Sequence, residues 1–253
     1  MTDQVRTKIE NGVLEITWNR PDKKNALSNA MYRTATAALL EASADKAVRV
    51  ALITSEGDSF TSGNDLADFA AASAGGEPPA AGRFIETIAA FDKPLVAGVP
   101  GLAVGVGTTM LLHCDLVYVA ETAKLTTPFV NLALTPEAAS SLLLPARIGY
   151  ARAFAMFALG EALTGRQAAE YGLANVALSA AEVIPAARKA AAALALRPPG
   201  AVMATKRLMR EGMHLMARVQ EESAIFGERL KSAEAREAFA AFAQKRAPDF
   251  SKL

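Results

Sequence analysis

Two glycine-containing segments and one carboxylate are the groups of this chain that could act together on a carbonyl. The first segment is F-T-S-G-N-D-L, Phe60 to Leu66, and the second is G-L-A-V-G-V-G-T-T, Gly101 to Thr109. Both can aim main-chain N–H groups at one oxygen. The carboxylate is Glu137, in L-T-P-E-A-A-S-S. Two N–H donors plus one base suit removal of a proton beside a carbonyl, because the charge that develops on oxygen needs donors already in place. Plainer roles exist for each part. Glycines also permit tight strand–helix packing, and an acid after proline is common in the first turn of a helix, where the dipole favours it.

The elements that must carry these groups read as alternating strands and helices. V-R-T-K-I-E and V-L-E-I-T-W flank Asn11-Gly12, a turn pair that favours positive φ, and predict a hairpin. Ser28 is a good N-cap for a helix to about Ala44, with Met31, Ala35, Leu39 and Ala42 at helical spacing. Val48 to Ile53, Pro94 to Val99 and Leu116 to Val119 are short apolar runs that read as buried strands. Ser62, Gly63 and Asn64 predict a tight turn into a helix at Asp65, and Thr108 to His113 a second helix. Ala70 to Ala81 is small and Gly/Pro-containing, the composition of a mobile loop. From about Pro136 the chain reads as nearly all helical, with Ala-rich segments at 181–196 and 201–243 and a break at Pro198-Pro199-Gly200. The fold class is α/β: an alternating core over residues 1–195 and a helical region over 196–253.

Bulk properties exclude several classes. The 253 residues can bury a sizeable core, and a formal net charge of +1 gives no strong field for nucleic acid or an anionic membrane. One cysteine, Cys114, forbids an intrachain disulfide and points to a reducing compartment. No charged-then-apolar leader is present, and no apolar run is long enough to span a bilayer. The terminal Ser251-Lys252-Leu253 reads as a peroxisomal address in a eukaryote and as nothing in a bacterium, and the Ala-rich composition favours a bacterial cytoplasm. His113 and His214 stand alone, with no metal-ligand spacing. Ser140-Ser141 lack a G-x-S-x-G frame, and Gly105-Val106-Gly107 lacks the third glycine of a dinucleotide fingerprint.

R-P-D-K-K-N-A-L (Arg20 to Leu27), Phe60 to Leu66, Gly101 to Asp115, Gly160 to Leu173 and Phe242 to Phe250 occur in an order that resembles the crotonase (enoyl-CoA hydratase/isomerase) superfamily along nearly the whole chain. The resemblance implies a crotonase-like spiral core with a C-terminal helical trimerisation region, a homotrimer or hexamer, and acyl-coenzyme A as substrate with no separate cofactor. It implies that the N–H groups of Ser62 and Val106 grip the thioester oxygen, and that Gly63, Asn64, Asp65, Leu66, Gly105 and Phe129 border the bound substrate. It places Lys24, Ala26, Phe242 and Lys245 at the nucleotide end. Phe69, Phe84, Phe129 and Leu132 would line an acyl pocket or simply form core.

The hydratases of the family use two glutamates. Their positions here hold Thr109 and Phe129, neither of which can activate water. Thr126 to Ser141 resembles instead the peroxisomal type of Δ3,Δ2-enoyl-CoA isomerase, in which the glutamate of the P-E pair is the single base. That resemblance makes Glu137 the proton shuttle, with apolar neighbours raising its pKa toward neutrality. Hydration, thioester hydrolysis and non-catalytic acyl-CoA binding are the competing activities.

Overall fold

A computed structural model describes residues 4–65, 68, 79–210 and 212–252, apart from the side chains of residues 213 and 252. Leu66, Phe69, most of the 70–81 stretch and Leu253 lie outside the described residues, and so do the expectations placed on them.

The predicted hairpin forms. β1 (Val5–Glu10) and β2 (Val13–Trp18) pair antiparallel in register from Val5↔Trp18 to Glu10↔Val13. Asn11 and Gly12 turn between them at φ 50° and 77°. Helix α1 (Asn29–Ala44) starts where the serine predicts, with Ser28 Oγ accepting from the Met31 N–H at 3.3 Å. Its buried face carries Met31, Ala35, Leu39 and Ala42.

From β3 onward successive strands alternate between two sheets. β3 (Val50–Ser55), β5 (Leu95–Val99) and β7 (Leu116–Ala120) extend the hairpin in parallel, while β4 (Ser59–Thr61), β6 (Leu102–Val104) and β8 (Lys124–Thr126) build a second sheet. With β9 (Leu163–Thr164) and β10 (Val176–Leu178) included, the sheet orders among the described residues are β1-β2-β3-β5-β7-β10 and β4-β6-β8-β9. Each step from the large sheet to the small one and back is one turn of a spiral. β3 and β5 are buried at every position, as expected for parallel strands covered on both faces. α2 (Ala81–Ala90) packs on α1, and α7 (Ala180–Ala195) lays Ala187, Ala191 and Ala195 against Val50, Leu52 and Val96.

The C-terminal half is less purely helical than its composition implies. α3 (Val106–Thr109), α4 (Ser140–Ile148), α5 (Tyr150–Phe154) and α6 (Gly165–Glu170) are short. β9 (Leu163–Thr164) joins β8, and β10 (Val176–Leu178) joins the free edge of β7. Residues 163–164 and 176–178 are too brief for a periodicity to show, and an open sheet edge supplies their hydrogen bonds. Beyond Pro198 the helices are α8 (Pro199–Met209), α9 (Gly212–Leu230) and α10 (Ala233–Ala243). Pro199 is the first residue of α8. No helix of the described residues is long and apolar enough to cross a membrane.

Candidate active site

β4, β6 and β8 are parallel neighbours, so the loops leaving their C-terminal ends open on one side of the small sheet. Residues 62–65, 105–106 and 128–129 all line one cavity there, with a volume of about 590 Å³. The hydrogen bonds of these loops decide which N–H groups face it.

In the first loop three N–H groups are already engaged. Ser62 donates to the Lys24 carbonyl at 2.9 Å, Gly63 to Thr61 Oγ1 at 3.0 Å, and Asp65 to the Leu27 carbonyl at 3.0 Å. The Asn64 N–H between them donates to no group among the described residues. The expectation that Ser62 supplies a donor is therefore corrected: Lys24 holds that N–H, and Asn64 presents the free one. Gly63 makes this possible at φ 91°, where a Cβ would stand 3.0 Å from the Val104 carbonyl oxygen. Asn64 is fixed from behind, its Oδ1 accepting from the buried Tyr32 hydroxyl at 2.5 Å. The helix expected from Asp65 falls on residues outside the described ones. Asp65 itself lies in irregular chain and pairs with Arg20 at 2.5 Å.

In the second loop Gly105 takes φ 56°, ψ −119°, and its N–H donates to Thr126 at 2.8 Å. Val106 then opens α3, so the helix starts two residues before Thr108, and it tightens to a 3-10 turn over Met110–His113. The unusual backbone is carried by the glycine, and Val106 has no positive φ. Its N–H, in the first helical turn, has no intrahelical acceptor. Gly107 lets this helix sit on β4, since a Cβ there would lie 2.4 Å from Thr61 Cγ2.

Glu137 does not line the cavity itself, and it is tied to the second loop through Thr109, the last residue of α3. α4 begins only at Ser140, after Ala138 and Ala139 at φ 59° and 53°. Glu137 is thus ahead of the helix and not in its first turn, which removes the dipole role as an explanation. The side chain turns inward and is 9% exposed. Its Oε1 accepts from Thr109 Oγ1, while Oε2 is buried with no partner. Burial pushes the carboxyl up to about 7, with the Thr109 hydroxyl opposing and the Glu222 charge adding to the shift. An unpaired buried carboxyl oxygen costs stability, and such sites recur where a group must act on a ligand.

Phe129, Leu132, Phe226 and Phe239 give the cavity an apolar wall, and Arg20, Lys23, Ala26 and Phe242 lie at its rim. Phe84 is core instead: fully buried, it meets Trp18 edge-on and Tyr32 at a tilt, at ring distances of 6.1 and 5.4 Å. Lys24 and Lys245 do not line the cavity. Both take left-handed φ, 49° and 53°, and Lys23 lines the cavity where Lys24 does not. Glu222 was not singled out by sequence reasoning. Its signal is the spacing Leu215, Val219, Glu222, Phe226, which sets an acid on the inward stripe of α9.

A second cavity of about 700 Å³ borders Asp115, Arg147, Lys206 and Arg210. Those side chains are bonded to one another or to main chain. Lys206 Nζ meets Asp115 at 2.8 Å and the Lys93 carbonyl at 2.7 Å, and Arg147 donates to the Leu112 carbonyl at 2.9 Å. His113 Nδ1 accepts from Arg210 at 3.1 Å, leaving Nε2–H to donate to the Ala138 carbonyl at 2.8 Å. The arrangement is structural.

Comparison with known proteins agrees with the geometry. Residues 8–252 match the family model described as enoyl-CoA hydratase/isomerase. The chain is 43% identical over 170 residues to enoyl-CoA delta isomerase 2 of Rattus norvegicus, a match covering 65% of this chain and 43% of that longer protein. It is 33% identical over 252 residues to a probable enoyl-CoA hydratase of Rhodobacter capsulatus, covering 98% and 97% of the two chains. The crystal structure of an enoyl-CoA hydratase/isomerase from Pseudoalteromonas atlantica T6c superposes with a TM-score of 0.92 at 39% identity, over 98% of this chain and 99% of that one. With its alternating sheets, paired loops and inward carboxylate, this chain belongs to the enoyl-CoA hydratase/isomerase family.

Proposed function

We propose that the chain is an isomerase that moves a C3–C4 double bond to C2–C3 in an unsaturated fatty acyl-CoA. The observation that carries this reading is Glu137. It is one buried carboxyl with one oxygen held by Thr109, on the helix that Val106 opens, and the other free. The N–H groups of Asn64 and Val106 hold the thioester oxygen. Glu137 takes a proton from C2, and the electron pair passes into the carbonyl to give a dienolate. The same carboxyl returns the proton at C4, which leaves the double bond at C2–C3. No water and no second base are consumed. Preorganised donors lower the barrier because charge on the oxygen is larger in the dienolate than in the substrate, and one such donor is worth about 3 kcal/mol. A base whose pKa lies near neutrality both accepts and returns a proton readily.

Relatives named as hydratases match at comparable identity, so overall likeness does not choose between the two reactions. Thr109 and Phe129, where the hydratase glutamates would stand, favour isomerisation. The rim residues Arg20 and Lys23 supply positive charge for the coenzyme A phosphates. The helical region from residue 196 completes the proposal as the oligomer-forming part. Leu196, Leu208 and Met209 are 88%, 85% and 80% exposed in the single chain, which favours burial against further copies.

The test is an assay of the purified protein with 3-hexenoyl-CoA and, separately, crotonyl-CoA. Conversion of the first to the 2-enoyl product, cut about 10³-fold in Glu137→Gln and without hydration of the second, is the expected result. Hydration of crotonyl-CoA, or full isomerase turnover in Glu137→Gln, would sink the reading.

A further inference from the structure

Glu222 is 5% exposed, midway along α9. Its Oε1 accepts from the Ser141 N–H at 2.9 Å, with the Ala139 N–H also in reach, and its Oε2 is buried without a partner. It therefore caps the start of α4, where N–H groups lack intrahelical acceptors. That start is tied directly to the base, since the Ser140 N–H donates to the Glu137 carbonyl at 3.0 Å. Between them lie the two alanines at positive φ, a conformation unfavourable for a residue with a Cβ and one that outside contacts must hold.

We propose that Glu222 is a positioning residue for Glu137: it clamps the turn that aims the base, and it sets a second negative charge against which the base must ionise. The proposal rests on Glu137 being the base of the reaction. Two carboxyls within Coulomb reach in a buried site resist carrying charge together, so each makes the other a better proton acceptor. Burial raises Glu222 as well as Glu137, and the Glu222 charge raises Glu137 further.

The surrounding charges leave this pair largely to itself. Arg218, one turn earlier on α9, is the cation that acts on Glu222, and it is shared with Glu221 at 3.4 Å. On α2, which packs against α9, Arg83 pairs with Glu86 at 3.3 Å. On α10, Glu234 pairs with Arg229 and Glu237 with Arg246. Tyr32 is kept protonated by burial and by Glu137, and buried His113 is kept neutral, its pKa lowered to about 3.

The experiment follows the Glu137 carboxyl directly. Protein labelled with ¹³C-glutamate is titrated by NMR, with the Glu137 signal identified by its loss in Glu137→Gln. In Glu222→Gln the Glu137 midpoint is expected to fall by about half a pH unit, and the acid limb of kcat/KM for 3-hexenoyl-CoA to fall with it. Arg218→Gln, on a half-exposed side chain, strips the cation that favours the Glu222 charge, so the Glu222 midpoint rises and the Glu137 midpoint, facing a less fully charged neighbour, falls, which keeps the test open if Glu222→Gln does not fold. A Glu137 titration that is unmoved in both variants overturns the proposal and leaves Glu222 a helix cap alone. Full turnover in Glu137→Gln would instead remove the base assignment, while the NMR titration still decides whether the two carboxyls are coupled.

Discussion

The molecule buries two polar clusters, and they differ in one respect. Around Asp115, Lys206, Arg147, Arg210 and His113, each side chain is bonded to another or to the main chain. Around Glu137, the second oxygens of Glu137 and Glu222 and the hydroxyls of Thr135 and Ser140 are buried and unpartnered. Buried polar groups are almost always satisfied, because an unmet one costs about 1–3 kcal/mol. Each side chain of the first cluster already has a partner, although its cavity is the larger of the two. The second is left short in the region where the loops of β4 and β6 present free N–H groups. Unmet capacity, more than cavity size, distinguishes a site that acts from one that holds.

The sharpest way to break this contrast is to remove one group from each cluster and compare turnover. Glu137→Gln should cut isomerase turnover by about 10³-fold, the scale of a general base, while Lys206→Met should leave turnover per folded molecule unchanged. Stability should show a second difference. The Glu137 carboxyl is raised from an unfolded value near 4.5 to about 7, so the folded state binds the proton more tightly. The stability linked to that proton is fully present below about pH 4.5 and is lost as pH rises through about 7. Glu137→Gln, which mimics the protonated form, should therefore remove that loss and exceed the wild type at pH 8 by about 3 kcal/mol, measured by urea unfolding across pH.

Lys206→Met should have the opposite sign. It leaves Asp115 without its cation, at a cost of about 2–3 kcal/mol in the same unfolding experiment. The Asp115 side chain is 29% exposed, which keeps the cost below that of a fully buried pair. Thr109→Val should have the smallest effect. Losing one hydroxyl donor to Glu137 raises the Glu137 pKa further and lowers turnover by about fivefold near pH 7, read as an upward shift of the acid limb.

Local chemistry was legible in the sequence. The Asn11-Gly12 turn, the Ser28 cap and the buried strands depend on residues close in the chain, and they fold as predicted. The alternation of strands between two sheets followed from family resemblance. What was not legible depended on distant partners. Ser62 and Asn64 are equally plausible donors by spacing, and only the Lys24 carbonyl, brought in from another loop, takes one of them out of use. Ala138 and Ala139 carry no sign that they take left-handed φ, so Pro136-Glu137 resembles a helix start. Phe84 and Phe129 are alike in type, yet one is sealed in the core by α1 and the other walls the cavity. Glu222 stands 81 residues from the Ser141 N–H it accepts, and only the acid on the apolar stripe of α9 hinted at it.

The contact between Thr109 and Glu137 has a consequence for how such a protein changes its chemistry. Position 109 is where a hydratase of this family would root one of its glutamates, and here its side chain touches the carboxylate rooted at 137. On the proposed reading, two points 28 residues apart in the chain serve as alternative anchors for one functional group at a single locus. The oxygen-binding N–H groups belong to the main chain and travel with the fold, whatever side chains accompany them. A new reaction then requires no new architecture, only a carboxylate gained at one anchor and lost at the other, and Thr109→Glu combined with Glu137→Ala is the two-step path by which that transplant could be walked.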